Sequence, residues 1–296
     1  MNYKSIFNLL GILLGIFSLS FIPPLVLTFV YRESGMEIFL YSFIFFSILG
    51  SSLWAATRQQ NLPLNISDGF IITTLFWVVL ACAGSIPFYF FGLSISDSIF
   101  ESVSGITTTG ATTIIGLDNL PKSILFYRQL LQWIGGMGLI ILAVAVMPAL
   151  GIGGGQLYKM ELPGSHGNQK LTPKITDSAK ALWKIYVGLT LICATLYLSS
   201  GMDLFDSIAH SLSTVAGGGF STHDQSIGFF NSSLIETVCI VFMLLSAASF
   251  AVHYVAIFGG KPLKYFYDSE FRFFLSVIML IMLISLIVHL INNSFT

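Results

Sequence analysis

Two uncharged stretches of the chain have residue types that suit cation binding by the peptide backbone. They read TTTGA at residues 107–111 and AGGGF at residues 216–220. Glycine reaches backbone conformations that are closed to other residues, and β-branched threonine keeps an extended backbone stiff. Carbonyl oxygens that point in one direction can replace the hydration shell of a cation. These stretches therefore indicate ion coordination by carbonyl groups, which requires no charged side chain.

Both stretches lie in an internal repeat. The segment GLSISDSIFESVSGITTTGATT at 92–113 aligns without a gap with GMDLFDSIAHSLSTVAGGGFST at 201–222. Eight of the 22 aligned positions are identical, which is well above chance for a fixed offset. An apolar run of membrane length precedes each copy and another follows it. The unit is therefore a helix, a connector and a helix, and it occurs twice.

Each connector is predicted to begin with a short helix. Asp97 or Ser98 can cap free backbone N–H groups at the start of the first copy, and Asp206 or Ser207 can do so in the second. Ser98 and Glu101 also have the spacing of a capping box, although Glu101 could instead concentrate cations near an entrance. A helix of about ten residues is about 15 Å long, which is half the thickness of a membrane.

The extended residues after each short helix are predicted to return to the same side of the membrane. Such a hairpin leaves carbonyl and amide groups unpaired at membrane depth. It is tolerated only where the backbone is buried in protein or lines a water-filled path. Both connectors are therefore predicted to be re-entrant pore loops. The alternative is a pair of ordinary extracellular loops, because Gly, Ser and Thr are common in loops.

The composition is that of a polytopic membrane protein. The chain of 296 residues is 55% hydrophobic and 9% charged, whereas a soluble domain is about 25% charged. Its net charge of −1 offers no basic surface for nucleic acid. The first apolar run is predicted to be a retained membrane helix that is kinked or interrupted at Pro23 and Pro24. Seven runs are long enough to cross a membrane: 6–30, 36–57, 69–91, 123–148, 181–200, 233–258 and 271–291.

The basic residues predict the orientation of the spans. With a cytoplasmic N-terminus, the outer side carries Arg32, Lys122 and Arg128, and the inner side carries the other ten Lys and Arg residues. This places both connectors outside and makes the loop 149–180 the main cytoplasmic feature. The sequence GIGGGQ in that loop is interpreted as a flexible helix exit, because no Gly-Lys-Ser/Thr follows it as in a phosphate-binding loop.

Other polar groups support weaker alternatives. His210, His223 and Asp224 could form a metal site, and the two histidines could serve an intramembrane enzyme, but no nucleophile–base pair accompanies them. His253 is expected to be a hydrogen-bonded residue of the sixth span. The glycines of WIGGMG at 133–138 are expected to let helices approach closely.

The chain resembles the TrkH/KtrB superfamily of potassium uptake proteins, most closely the bacterial TrkH branch. The resemblance rests on TTTGA, on RQLLQWIGGMGLIILAVAVMPALGIGGGQLYKMELPG at 128–164, and on STVAGGGFSTHD at 213–224. It implies an all-α polytopic membrane protein with tandem helix–pore-loop–helix units, four in the family, around one K⁺-channel-like pore. It also implies that backbone carbonyls of six residues coordinate K⁺, namely Thr108, Thr109, Gly110, Gly217, Gly218 and Gly219.

The resemblance divides the chain into four parts. It implies an N-terminal pair of helices at 1–62, a first unit at 63–160, a second unit at 161–262, and the first helix of an incomplete third unit at 263–296. Pore loops three and four are not in this sequence, so the chain is expected to be the N-terminal portion of a transporter. The expected function is potassium uptake as part of a TrkH-like pore. The alternative is a non-conducting fragment with only a structural or assembly role.

The resemblance also implies partners and a location. Proteins of this kind are typically homodimers that sit on a cytosolic, nucleotide-binding TrkA-type ring, which loop 149–180 and segment 259–270 would face. A split gene would supply the missing C-terminal pore units as a further partner. The expected location is the bacterial inner membrane, with many spans, lipid contacts and a cytoplasmic N-terminus. K⁺ is expected as the transported ion, without a covalent cofactor, a nucleic-acid partner or enzymatic activity.

Overall fold

The apolar runs form helices throughout the part of the chain that the computed structural model describes, which is residues 3–58, 66–146, 175–261 and 263–293. No strand occurs in these four ranges, so the predicted all-α class is confirmed. The α-helices are α1 (Tyr3–Ser18), α2 (Ile22–Tyr31), α3 (Met36–Thr57), α4 (Ile66–Phe90), α5 (Ile95–Ile106), α6 (Lys122–Val146), α7 (Ile175–Ser199), α8 (Leu204–Ala216), α9 (Ser233–Ala247), α10 (Phe250–Ile257), α11 (Lys264–Tyr267) and α12 (Ser269–Asn293). Short 3₁₀ turns occur at Leu19–Phe21, Leu117–Asn119 and Ser226–Phe230.

The first predicted span is interrupted where the prolines occur. A 3₁₀ turn at Leu19–Phe21 separates α1 from α2, and Pro23 and Pro24 lie in the first turn of α2. Proline lacks a backbone N–H, and at the start of a helix that N–H would have no partner in any case. The two prolines therefore fit the first turn of a second helix, as predicted.

Five helical segments in the described ranges are long and apolar enough to cross a membrane. They are Tyr3–Tyr31, Met36–Thr57, Ser67–Phe90, Lys180–Ser199 and Ser269–Ile291. The run predicted at 123–148 forms the continuous 25-residue helix α6. The protein is therefore a membrane protein with several spanning helices, and five of the predicted spans satisfy length and composition within the described residues.

The predicted sixth span at 233–258 is not one helix. It divides into α9 and α10, because Ala248 and Ser249 have extended backbone conformations. The Ser249 hydroxyl accepts a hydrogen bond from the amide of Val252 and so begins a new helix. The Leu245 carbonyl accepts a hydrogen bond from the Ala248 amide at 3.1 Å, and the imidazole of His253 lies 2.9 Å from the same oxygen. The Ser249 cap and His253 thus stabilise the break between α9 and α10, which the continuous apolar sequence did not predict.

Helix α6 contributes residues to two separate apolar cores. Its residues Ile124, Tyr127 and Leu131 join one apolar core with α1, α3 and α4. Its residue Met137 joins a second core with α7, α8 and α9. The helix therefore contacts both units and can position both connectors. The predicted unit boundaries at 62, 160 and 262 lie outside the described residues, as does most of the predicted cytoplasmic loop 149–180.

Candidate functional site

Both connectors begin with a short helix, but each helix starts earlier than predicted. Ser94 caps α5 and accepts a hydrogen bond from the Asp97 amide, and Asp203 caps α8 and accepts one from the Asp206 amide. Placing the caps at Asp97 or Ser98 and at Asp206 or Ser207 was therefore wrong by about one turn. The Ser98 hydroxyl instead donates to the Ser94 carbonyl. The predicted capping box of Ser98 and Glu101 does not form.

The backbone after each short helix has the same unusual conformation in both copies. We name residues 107–116 the first loop and residues 217–225 the second loop. Thr108 and Gly110 have positive φ angles of 55° and 77°, and the aligned Gly217 and Gly219 have 70° and 82°. A positive φ is uncommon for a β-branched residue such as threonine, which indicates that the surrounding structure imposes it. The repeat therefore conserves a backbone shape even where threonine replaces glycine.

The hydrogen bonds that begin the loops also match between the copies. The amides of Thr108 and Thr109 donate to the carbonyls of Gly105 and Ser104 in the short helix before them. The aligned amides of Gly217 and Gly218 donate to the carbonyls of Thr214 and Ser213. In both copies the chain therefore leaves the short helix through the same pair of backbone hydrogen bonds.

The two loops meet each other. A Cβ atom added to Gly110 would overlap the carbonyl oxygen of Gly218, so no larger residue fits there. A Cβ on Gly218 would overlap the side chain of Gln132. The six residues predicted to bind an ion thus belong to two segments in direct backbone contact. This arrangement differs from two loops that lie apart on a surface.

The glycines of the WIGGMG motif bring α6 close to both short helices, as predicted. A Cβ on Gly135 would overlap the carbonyl oxygen of Ile106 at the end of α5. A Cβ on Gly136 would lie 3.3 Å from Ala216 at the end of α8. Small residues at these two positions let one helix support the ends of both short helices.

A buried ion pair connects α5 to α6. The Nε atom of Arg128 lies 3.2 Å from a carboxylate oxygen of Glu101, and both side chains are fully buried. Glu101 also accepts a hydrogen bond from the Thr113 amide at 2.8 Å and one from the Thr112 hydroxyl. Glu101 therefore neither caps α5 nor faces an entrance. Arg128, which the sequence analysis assigned to the outer side, is buried inside the protein.

Helix α6 has a polar face that was not predicted from the sequence. Gln132 lies one turn after Arg128, and its Oε1 atom accepts a hydrogen bond from the Phe220 amide at 3.0 Å. The amide of Gln129 lies between the Ala209 carbonyl and the Thr222 amide. Arg128, Gln129 and Gln132 are all fully buried. Three polar residues within five positions of an apolar run could have predicted this face, since such residues face the interior of a helix bundle.

The C-terminal ends of the two loops are joined by acidic side chains and one histidine. The two ring nitrogens of His223 lie 2.5 Å from Asp118 and 3.3 Å from Asp206. The Asp224 carboxylate accepts hydrogen bonds from the amides of Gly116 and Leu117. The hydrogen bond from His223 lowers the pKa of Asp118 from its ordinary value.

The arrangement of the histidines differs from a metal or catalytic centre. One nitrogen of His210 lies 3.0 Å from the Asp206 carbonyl and the other lies 2.9 Å from the Ser221 hydroxyl. Both ring nitrogens of His223 face carboxylates, and Asp224 bonds to backbone amides instead. No cluster of three or more His, Cys, Asp or Glu residues suitable for a metal occurs in the described ranges. The predicted trio thus holds the loops in place.

Comparisons with known proteins place these features in a family. The family profile TrkH, described as "Cation transport protein", matches residues 35–296. The chain is 46% identical over its full length to the Trk system potassium uptake protein TrkH of Vibrio parahaemolyticus, and 45% identical to that of Escherichia coli K12. The crystal structure of the potassium transporter TrkH from Vibrio parahaemolyticus superposes with a TM-score of 0.83 at 44% identity, covering 96% of this chain.

The chain spans only part of these relatives. It corresponds to 62% of the length of the two curated TrkH proteins and to 58% of the chain in the crystal structure. It is also 41% identical to the potassium uptake protein TrkG of Escherichia coli K12, over 96% of this chain. The matched region contains both loops and the helix α6 between them. This chain belongs to the TrkH family of cation transport proteins.

Proposed function

We propose that this chain forms part of a pore through which K⁺ enters the cell, and that the two loops supply part of its selectivity filter. The carbonyl oxygens of six residues stand in for the hydration shell of the ion. These residues are Thr108, Thr109 and Gly110 of the first loop and Gly217, Gly218 and Gly219 of the second. The transport requires no covalent chemistry and no covalently bound cofactor, because the ion is the cargo.

The observation that carries this proposal is the matched backbone of the two loops. Positive φ angles recur at alternate positions, Thr108 and Gly110 in one loop and Gly217 and Gly219 in the other. In a regular strand successive peptide groups point to opposite sides, whereas left-handed residues at alternate positions let successive carbonyls face the same side. The contact between Gly110 and Gly218 directs the two segments to one place.

The chain supplies two of the filter segments that the resemblance implies. We infer that two further units, of the kind that occupies the remaining length of the relatives, complete the ring around the ion. The region 263–296 then begins the third unit. The apolar helix α12 in this region has no buried residue in its most apolar window. That exposure is consistent with a helix that contacts lipid or the next unit.

Partners and location follow from the same proposal. The Trk names of the relatives describe a system, and we infer that this chain assembles as a homodimer on a cytosolic TrkA-type nucleotide-binding ring. We further infer the bacterial inner membrane and a cytoplasmic N-terminus. The burial of Arg128 supports this orientation, because it leaves only Arg32 and Lys122 as outer basic residues.

A chimera tests the proposal. Residues 1–296 replace the aligned part of the Escherichia coli TrkH protein, and Rb⁺ uptake is measured in a host that lacks its own potassium uptake systems. We expect uptake by the chimera and its loss in Gly110→Asp. Gly228→Asp is the matched control, because a Cβ at Gly228 meets no atom within 4 Å. Uptake that survives Gly110→Asp in a correctly assembled protein would remove the filter assignment.

The alternative of a non-conducting structural fragment predicts a different result. Under that alternative the chimera is inserted and assembled but moves no Rb⁺, although the intact Escherichia coli protein does so in the same host. Size-exclusion chromatography of the chimera separates this outcome from failure to fold.

A further inference from the structure

The guanidinium group of Arg128 bonds to both loops at equivalent positions. Its Nη2 donates to the Thr112 hydroxyl at 3.0 Å, and its Nη1 donates to the Ser221 carbonyl at 3.1 Å. Thr112 and Ser221 align with each other in the repeat. Its Cζ atom also lies 4.3 Å from the centre of the Phe220 ring. One fully buried side chain therefore touches the returning part of each loop.

Neighbouring side chains extend these contacts to the backbone of each loop. Glu101, which is paired with Arg128, accepts a hydrogen bond from the Thr113 amide of the first loop at 2.8 Å. Gln132, one helical turn from Arg128, accepts one from the Phe220 amide next to the second loop's glycines at 3.0 Å. Its amide nitrogen is buried without a hydrogen-bond partner among the described residues and lies against Gly218. Side chains of α6, together with Glu101, thus hold both loops in position.

We propose that Arg128 is a positioning residue that fixes the position of the first loop relative to the second and thereby sets the preference for K⁺ over Na⁺. This inference rests on the proposed function of the loops. Carbonyl oxygens can discriminate between the two ions only if their number and separation are controlled. The positions of both loops depend here on the guanidinium group of Arg128, whose donors are held in a rigid plane.

A merely structural role for the ion pair predicts different behaviour. Two buried charges are costly to desolvate, and neutral residues of similar volume can often replace both without loss of stability. A neutral pair at these positions would then fold and also leave the loops unchanged. The positioning role instead requires the donors of Arg128, which no neutral apolar side chain supplies.

Hydrogen exchange of the purified chain tests the positioning role without transport. We compare Arg128→Met, Arg128→Lys and the double variant Glu101→Gln/Arg128→Met by mass spectrometry of peptides that cover 107–116 and 217–225. We expect exchange in both loops to accelerate by about tenfold in Arg128→Met, because both loops lose the guanidinium contacts that tie them to α6 and therefore open more often. We expect the double variant to recover folding but not protection.

The controls separate this effect from general loosening. Arg32→Met removes an exposed arginine and should leave exchange in both loops unchanged. Gln132→Leu should accelerate exchange in the second loop only. If Arg128→Met is too unstable to purify, the exchange rates of Arg128→Lys and of the double variant test the proposal instead. Faster exchange in one loop alone, or full protection in the double variant, would overturn the proposal.

Ion selectivity is then measured in the chimera. We expect Arg128→Lys, which keeps the charge beside Glu101 but lacks the fork, to take up Rb⁺ with about a tenfold weaker preference over Na⁺. A parent chimera that takes up no Rb⁺ counts against the proposed function, while the exchange data still judge the positioning of the loops. A parent chimera that takes up Rb⁺, with selectivity unchanged in Arg128→Lys and the double variant, rejects the role of Arg128.

Discussion

His223 and Asp118 join the two repeat units through one hydrogen bond. Nδ1 of His223 in the second loop lies 2.5 Å from Oδ1 of Asp118 in the 3₁₀ turn after the first loop. Nε2 of the same ring lies 3.3 Å from Asp206 in α8, and the ring stacks on Phe229 with centroids 3.5 Å apart. One imidazole thus connects the turn after the first loop to the second loop and to α8.

The Asp118 contact predicts a pH dependence of stability. The hydrogen bond from His223 lowers the pKa of Asp118 below its ordinary value of 3.8. A lowered carboxyl pKa contributes stability that is present above the ordinary value and is lost as the pH falls through the lowered one. We expect the thermal midpoint of the purified protein to fall more steeply below about pH 4 than that of Asp118→Asn. Glu236→Gln, which changes an exposed carboxylate, should follow the parent curve.

The close approach of α6 to α5 predicts that Gly135 tolerates no larger residue. A Cβ at this position would overlap the Ile106 carbonyl oxygen, so Gly135→Ala should cost about 1–3 kcal/mol. Gly188→Ala in α7 is the matched control, since a Cβ there meets no atom within 4 Å. It should stabilise the helix by about 0.5–1 kcal/mol. Thermal unfolding in detergent compares the two variants, and equal effects would contradict the close contact.

The cap of α8 is predicted to reside at Asp203. Asp203→Ala should destabilise the protein by about 1 kcal/mol, because the Asp206 amide loses its partner. Asp203→Asn keeps a capping oxygen and should have little effect. Chemical denaturation in mixed micelles measures both, and an alanine variant as stable as the asparagine variant would refute the cap.

The break between α9 and α10 is predicted to depend on His253. His253→Leu leaves the Leu245 carbonyl without the imidazole and should cost about 1–3 kcal/mol. Tyr265→Phe removes only the hydroxyl that lies 2.6 Å from the other ring nitrogen and should cost about 1 kcal/mol. The thermal midpoints of the two variants provide the measurement. A larger loss from Tyr265→Phe than from His253→Leu would contradict this order.

The sequence alone determined the features that depend on local composition and on repetition. Apolar runs predicted the helices, Pro23 and Pro24 predicted the interruption of the first span, and the alignment of 92–113 with 201–222 predicted two equivalent connectors. Each of these follows from short-range rules, since helix formation and membrane crossing depend on neighbouring residues. The motif TTTGA and its counterpart AGGGF also indicated where the backbone departs from a helix.

Only the tertiary structure decided which residues hold the connectors in place. Glu101 had the spacing of a cap, yet it pairs with Arg128 from the next helix. Arg128 had been counted only among the outer basic residues, and Gln132 had received no role, yet both bond to the second loop. These partners lie far apart along the chain. Burial without water requires each charge and each amide to find a partner across the bundle, and sequence spacing within one helix does not specify that partner.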